Sequence, residues 1–226
     1  MRAMRGNFIT FEGGEGAGKS TQAALLAERL RKLGIGVELT REPGGSPGAE
    51  IIRHVLLSGA AKPLGPEVET LLFAAAREEH LNEKIRPALA RGRWVICDRF
   101  SDSTRVYQGV LGKVDPRVIR ALERLTVGRT KPSLTFILDL PPELGLLRAR
   151  KRRGGARPDR FEQEDIVFHQ KLRDAYRQIA QEEPQRCVVI DATEEPDFIA
   201  NQIWRVVENR LSPATADFYL EESTQR

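Results

Sequence analysis

A chain of 226 residues, 40% hydrophobic and 30% charged, can bury the core of one α/β domain, and no apolar run approaches the roughly 20 residues of a membrane span. Its net charge of +4 (36 Lys and Arg against 32 Asp and Glu) is small and spread out except at Arg148–Arg160, which argues for phosphorylated small molecules rather than nucleic acid as partners. Met1–Gly6 leads into an apolar run without a signal-peptide core, and Cys97 and Cys187 sit in apolar runs with no zinc-ligand spacing, so buried thiols in a reducing cytoplasm are expected.

The first apolar run, Asn7–Phe11, reads as a strand. It leads into Gly13-Gly14-Glu15-Gly16-Ala17-Gly18-Lys19-Ser20, a complete G-x-x-x-x-G-K-[ST] phosphate loop, followed by Thr21. Glycines let successive backbone N–H groups turn inward on phosphates; Lys19 reaches the β/γ oxygens, and the Ser20 hydroxyl suits Mg²⁺. A helical pattern from Ser20 to Lys32 adds its positive end and stops at Gly34. A nucleoside triphosphate is the expected ligand.

Further along, Gly36–Thr40 reads as a strand and Ala49–Leu57 as a helix ending near Gly59. A long helix opens at Pro66 and carries Val68, Leu71, Leu72, Ala75 and Ala76 on apolar or small positions. Pro87 is expected to end or kink it before a last turn reaches Gly92. Trp94–Asp98, Leu134–Leu140 and Arg186–Ile190 complete the strands, and Asp115-Pro116 caps a helix running to Val127. Glu143–Arg152, Glu164–Glu182 and Pro196–Leu211 are the remaining helices. The strands are nearly continuous in apolar character, as parallel strands covered on both faces require. The pattern predicts an α/β, P-loop NTPase fold: a five-stranded parallel sheet flanked by helices, with right-handed crossovers. Residues 1–211 read as one domain, and the polar stretch 212–226 as a mobile or loosely docked tail.

A phosphate loop alone fits a kinase, a switch GTPase or an ATPase. Asp98-Arg99 ends the third strand, at the edge where open α/β sheets bind ligands; Asp98 can hold the Mg²⁺ hydration shell while Arg99 clamps phosphate, although such a pair also reads as a surface salt bridge. Arg148, Arg152, Arg153, Arg157 and Arg160 surround Gly154-Gly155 and Pro158, a segment too irregular to stay helical. It reads either as a solvated basic loop or as a hinged LID (148–162) closing over the triphosphate. Neither Asn-Lys-x-Asp nor a post-strand Asp-x-x-Gly is present, which removes the switch GTPase and leaves a small-molecule kinase.

Several blocks resemble the bacterial thymidylate kinases: Phe11-Glu12-Gly13 through Thr21, Thr40-Arg41-Glu42-Pro43-Gly44-Gly45, Leu72 through Arg77, Asp98-Arg99-Phe100 through Thr104 with Tyr107-Gln108-Gly109, Asp159-Arg160-Phe161-Glu162, and Ile190 through Thr193. The resemblance spans Asn7 to Leu211. It implies transfer of the ATP γ-phosphate to dTMP, with Mg²⁺ and without a covalent intermediate, in a homodimer packed through helices, of which Pro66–Arg86 is a candidate. By the same resemblance, Glu15 contacts the acceptor sugar and phosphate, Phe73 stacks on thymine, and Arg77 hydrogen-bonds a base carbonyl. Thr104 lies near the thymine edge; Tyr107 and Gln108 lie against sugar and base, the ring crowding a 2′-hydroxyl. Arg41 and Arg99 bind the dTMP phosphate, with Asp98 beside them. Without the resemblance, Phe73 reads as ordinary core. Some members carry a basic residue in the phosphate loop; Gly16 stands there here, so a LID arginine takes over, Arg153 with Arg148, Arg157 or Arg160 in support. Lys19, Arg99, Glu15 and Arg153 form the expected catalytic set, and Ser20 with Asp98 the expected metal position. Another nucleotide acceptor, or a nucleic-acid-binding ATPase, remain the competing readings.

Overall fold

The computed structural model describes residues 6–154 and 161–211, apart from the Arg153 side chain. The expected tail, 212–226, lies outside the described residues. Five strands form one all-parallel sheet: β1 (Phe8–Gly13), β2 (Val37–Arg41), β3 (Trp94–Asp98), β4 (Leu134–Asp139) and β5 (Cys187–Asp191), in the order β2-β3-β1-β4-β5. Every residue of β1 is buried, because the strand is central and covered on both faces. The expected strand positions hold to within a residue or two at each end.

Helices α1 (Lys19–Lys32) and α9 (Pro196–Leu211) cover one face, where Leu26, Leu30, Ile203 and Trp204 close on Phe11, Phe136 and Leu138. The other face carries α2 (Pro47–Leu57), α3 (Pro66–His80), α4 (Arg86–Ala90), α5 (Ser101–Thr104), α6 (Pro116–Thr126), α7 (Pro142–Arg153) and α8 (Ile166–Glu182). Its packing forms two groups, Tyr107, Leu172 and Tyr176 over Ile137, and Phe8, Leu81 and Phe100 around Val95.

Pro87 marks a break in the long helix before a last short turn, within the expected end or kink there. A π-helical turn, Leu81–Ile85, precedes it and α4 continues beyond it, because Pro87 occupies the first turn of α4, where its missing N–H costs nothing. The chain after β3, to which the sequence pattern assigns no element, is helical: α5 runs into a π-helical stretch, Arg105–Leu111. Its buried side mixes Val106 and Tyr107 with Asp102, Thr104 and Gln108, the three polar residues all under 8% exposed, so hydrophobic periodicity gives little sign of it.

Candidate active site

At the C-terminal edge of β1 the chain turns through the phosphate loop into α1. Gly13 has φ 133°, and a Cβ there would stand 2.5 Å from the Leu138 carbonyl oxygen of β4. At Gly16, φ is 67° and a Cβ would meet the Gly145 carbonyl oxygen of α7 at 2.0 Å. The second contact explains why this loop carries no basic side chain at position 16: α7 already fills that space. Lys19 curls into the loop, its Nζ donating to the carbonyls of Gly13 at 3.2 Å and Gly14 at 2.6 Å. Burial and the neighbouring Arg99 charge depress the Lys19 ammonium to about 8, against the pull of Glu15, Asp98 and Glu12.

The loop opens into a cavity of ≈ 330 Å³. Its wall brings together most of the side chains singled out in the sequence: Glu15, Gly16, Gly18, Lys19, Ser20, Thr21, Arg41, Phe73, Arg77, Asp98, Arg99, Thr104, Tyr107, Gln108 and Arg152. Gly13 and Gly14 instead line a small adjoining cavity of ≈ 20 Å³ beneath the loop. The Ser20 hydroxyl donates to Asp98 Oδ2, so these two oxygens share one point of the cavity rim.

Glu15 and Arg99 form its centre. Arg99 Nη2 meets Glu15 Oε1 at 2.6 Å, and the Tyr107 hydroxyl donates to the same oxygen at 3.0 Å. Burial alone raises Glu15, but the Arg99 and Lys19 charges and the Tyr107 hydroxyl bring it down to about 2. Burial likewise opposes the Arg99 charge, yet Tyr107, Glu15, Tyr176 and Asp98 leave it more firmly protonated than an ordinary arginine. Arg99 is held in a left-handed conformation, φ 67°. The ring of Phe161, within the expected LID segment, packs edge-on against Tyr107 at 4.9 Å between centroids.

Across the cavity, Arg77 lies buried on α3. Its Nε donates to Glu42 Oε2 at 2.8 Å, and its Nη2 to the Phe100 carbonyl at 3.2 Å and to Thr104 Oγ1 at 3.0 Å. Nη1 has no hydrogen bond among the described residues. Phe73, one turn earlier, is half-buried on the same wall. Arg41 is exposed and paired with Glu50 at 3.0 Å.

Arg148 is not brought to this cavity: α7 turns it toward the segment after β5, where its guanidinium donates to the carbonyls of Ala192 at 2.8 Å and Thr193 at 3.1 Å. Arg152 does reach the cavity, largely exposed, with Glu162 Oε1 at 3.8 Å. Arg157, Arg160 and the Arg153 side chain lie outside the described residues. The sequence reading missed Glu12, Glu42, Ser103, Gly145 and Tyr176. A carboxylate adjoining a phosphate loop was visible as Glu12, but Tyr176 looks like any apolar-face residue of an amphipathic helix.

A glycine-rich loop at the carboxyl edge of an all-parallel sheet, opening on a cationic cavity, defines a P-loop NTPase fold. A family profile described as thymidylate kinase matches residues 11–203. A thymidylate kinase of Bradyrhizobium diazoefficiens is 60% identical over 212 residues, covering 94% of this chain and 93% of that protein, and one of Nitrobacter winogradskyi is 61% identical over 214 residues, covering 95% and 93%. The crystal structure of thymidylate kinase from Ehrlichia chaffeensis superposes with a TM-score of 0.74 at 36% identity, covering 90% of this chain and 99% of that one. The chain belongs to the thymidylate kinase family.

Proposed function

We propose that this chain transfers the γ-phosphate of ATP to dTMP, giving dTDP and ADP by direct in-line displacement. The observation that carries this reading is the single cavity joining the phosphate loop to Phe73, Arg77, Thr104, Tyr107 and Gln108, in a chain matched to the family over residues 11–203. The triphosphate lies on the loop amides with Lys19 at its β/γ oxygens. The thymine slides between Phe73 and the Arg77–Thr104 pair, and Arg77 Nη1 is the donor left for a base carbonyl. Glu15, ionised throughout the neutral range, keeps acceptor capacity for the 3′-hydroxyl. Tyr107 closes the space a ribose 2′-hydroxyl would need.

The acceptor oxygen is already anionic near neutral pH, so no general base enters the mechanism. Catalysis comes from holding two anionic groups in line and neutralising the charge between them with Lys19, Arg99 and a LID arginine. Ser20 and Asp98 offer two hard oxygen donors on the cavity rim. They fit Mg²⁺, which takes few protein ligands and fills its shell with water and phosphate oxygens, and which supplies charge neutralisation at the phosphates when bound.

Residues 1–211 are read as one catalytic domain acting as a homodimer. Support for the dimer comes from Ile51, Leu71 and Leu125, which are 71%, 52% and 78% exposed on the adjacent helices α2, α3 and α6. A monomer mass in sedimentation velocity at micromolar concentration would remove it. Two buried free cysteines fit a cytoplasmic setting; among the described residues no helix is long and apolar enough to cross a membrane. The activity is tested by coupled ADP release with ATP, Mg²⁺ and dTMP, dUMP, UMP, AMP or GMP. Turnover with dTMP well above the others is expected; turnover fastest with a purine acceptor, or none at all, would refute the reading.

A further inference from the structure

Glu12 is the penultimate residue of β1, immediately before the phosphate loop, is itself fully buried, and has no part in the chemistry above. Its hydrogen bonds divide between its two oxygens. Oε1 accepts from the backbone N–H groups of Phe100 at 2.8 Å and Ser103 at 3.3 Å. Oε2 accepts from the hydroxyls of Ser103 at 2.7 Å and Tyr176 at 3.1 Å. Those same hydroxyls accept from Arg99 Nη1, at 3.3 Å and 3.2 Å, and the Gly13 carbonyl receives a third bond from Nη1 at 3.1 Å.

We propose that Glu12 is the positioning residue for Arg99: it clamps the turn carrying Arg99 through two backbone amides, and it orients the guanidinium through the Ser103 and Tyr176 hydroxyls. The inference rests on the reading that Arg99 binds the transferring phosphoryl group. In its ionised form, which fills as pH rises through about 7, the Glu12 carboxylate only accepts hydrogen bonds, so both hydroxyl protons turn toward it and both oxygens present lone pairs to Arg99. The backbone bonds matter for a second reason. Arg99 sits in the left-handed region, which a branched-out side chain adopts only when its surroundings impose it. Phe100 and Ser103, the residues Glu12 holds, are the ones that follow it into α5. Glu12 makes no ion pair among the described residues, and burial with the nearby Asp102 charge pushes its carboxyl up to about 7. A buried carboxyl in this state burdens the fold, and its position beside Arg99 gives it a use.

Glu12→Gln keeps the shape. The two amide donors require the oxygen of Gln to stay at the Oε1 position, so its NH₂ replaces Oε2, donates to the hydroxyls and turns a hydroxyl proton toward Arg99. The expected result is a kcat lowered about tenfold or more, as misplacement of a catalytic charge produces, with KM for ATP changed less than about twofold. In an Arg99→Ala background the same substitution is expected to change kcat by less than about twofold, because nothing remains to be oriented. Equal factors in both backgrounds, or a Glu12→Gln enzyme with normal kcat, overturn the positioning role. Arg99→Ala with normal kcat is a different failure: it refutes the Arg99 reading and takes this inference with it. If Glu12→Gln does not fold by circular dichroism, Tyr176→Phe, which removes one hydroxyl and keeps the ring, runs through the same cycle with the same criteria.

Discussion

Replacing Arg77 by methionine removes a charge whose partner cannot escape to solvent. The Arg77 and Glu42 side chains are 6% and 4% exposed and meet at 2.8 Å, while Glu42 Oε1 faces His80 Nδ1 at 3.1 Å and His80 Nε2 faces Thr40 Oγ1 at 2.7 Å. Methionine fills most of the volume, so the loss is electrostatic: Glu42 keeps its negative charge inside the fold, and the Phe100 carbonyl and Thr104 hydroxyl each lose a donor. Breaking a buried pair from one side costs about 3–5 kcal/mol. At roughly 2–4 °C per kcal/mol for a chain of this size, Tm is expected to fall by about 6–20 °C. Glu42→Gln combined with Arg77→Met removes both charges and is expected to restore more than half of the loss in urea unfolding followed by circular dichroism. KM for dTMP stays raised in the double variant, since the Nη1 donor is gone whether or not the fold recovers. A single-variant cost below about 1 kcal/mol, or a double variant whose losses simply add, would refute the account of a coupled buried pair.

Two further outcomes follow from the cavity. Phe73→Ala is expected to raise KM for dTMP about 5- to 160-fold, the range of one lost base stack of about 1–3 kcal/mol, with KM for ATP within twofold; equal rises for both nucleotides would return Phe73 to ordinary packing. Lys19, depressed to about 8 in the free protein, is a group that the empty fold prefers neutral, so it weakens the fold below that pH and ceases to do so as pH rises toward 10.5. Phosphates reverse that preference, and ATP binding is therefore expected to take up protons increasingly as pH rises from 7 to 9. Calorimetry in buffers of different ionisation enthalpy checks this, and an uptake that does not grow through pH 8 would contradict it.

The phosphate loop was readable because its requirements are local. Gly13 and Gly16 adopt positive φ, and the Gly-Lys-Ser run sits where a buried strand meets a helix, so a window of about twenty residues holds the whole signal. Asp98 was readable for the same reason, as the last residue of an apolar run that is β3. The stretch 101–111 was not. Its helical form depends on Glu12, about ninety residues earlier in sequence, capping Phe100 and Ser103, and on Asp102 meeting Arg186 at 2.7 Å. Long-range polar contacts of this kind replace much of the apolar stripe that sequence periodicity detects.

The arginine-rich segment shows where composition stops informing. Spacing alone makes Arg148 and Arg152 equivalent cations one helical turn apart, and both fit a closing LID. Helix α7 separates them along its axis, one turn apart on one face, while Gly145 packs against the phosphate loop, with a Cβ there standing 2.3 Å from the Glu15 carbonyl oxygen. Arg148 faces the carbonyls after β5 while Arg152 faces the cavity near Glu162. Position along the helix, one turn apart, is what separates the two arginines, and the close approach of Gly145 ties that helix to the phosphate loop. An Ala at 145 is therefore expected to disturb the loop and the α7 arginines together, a coupling that no count of positive charges contains.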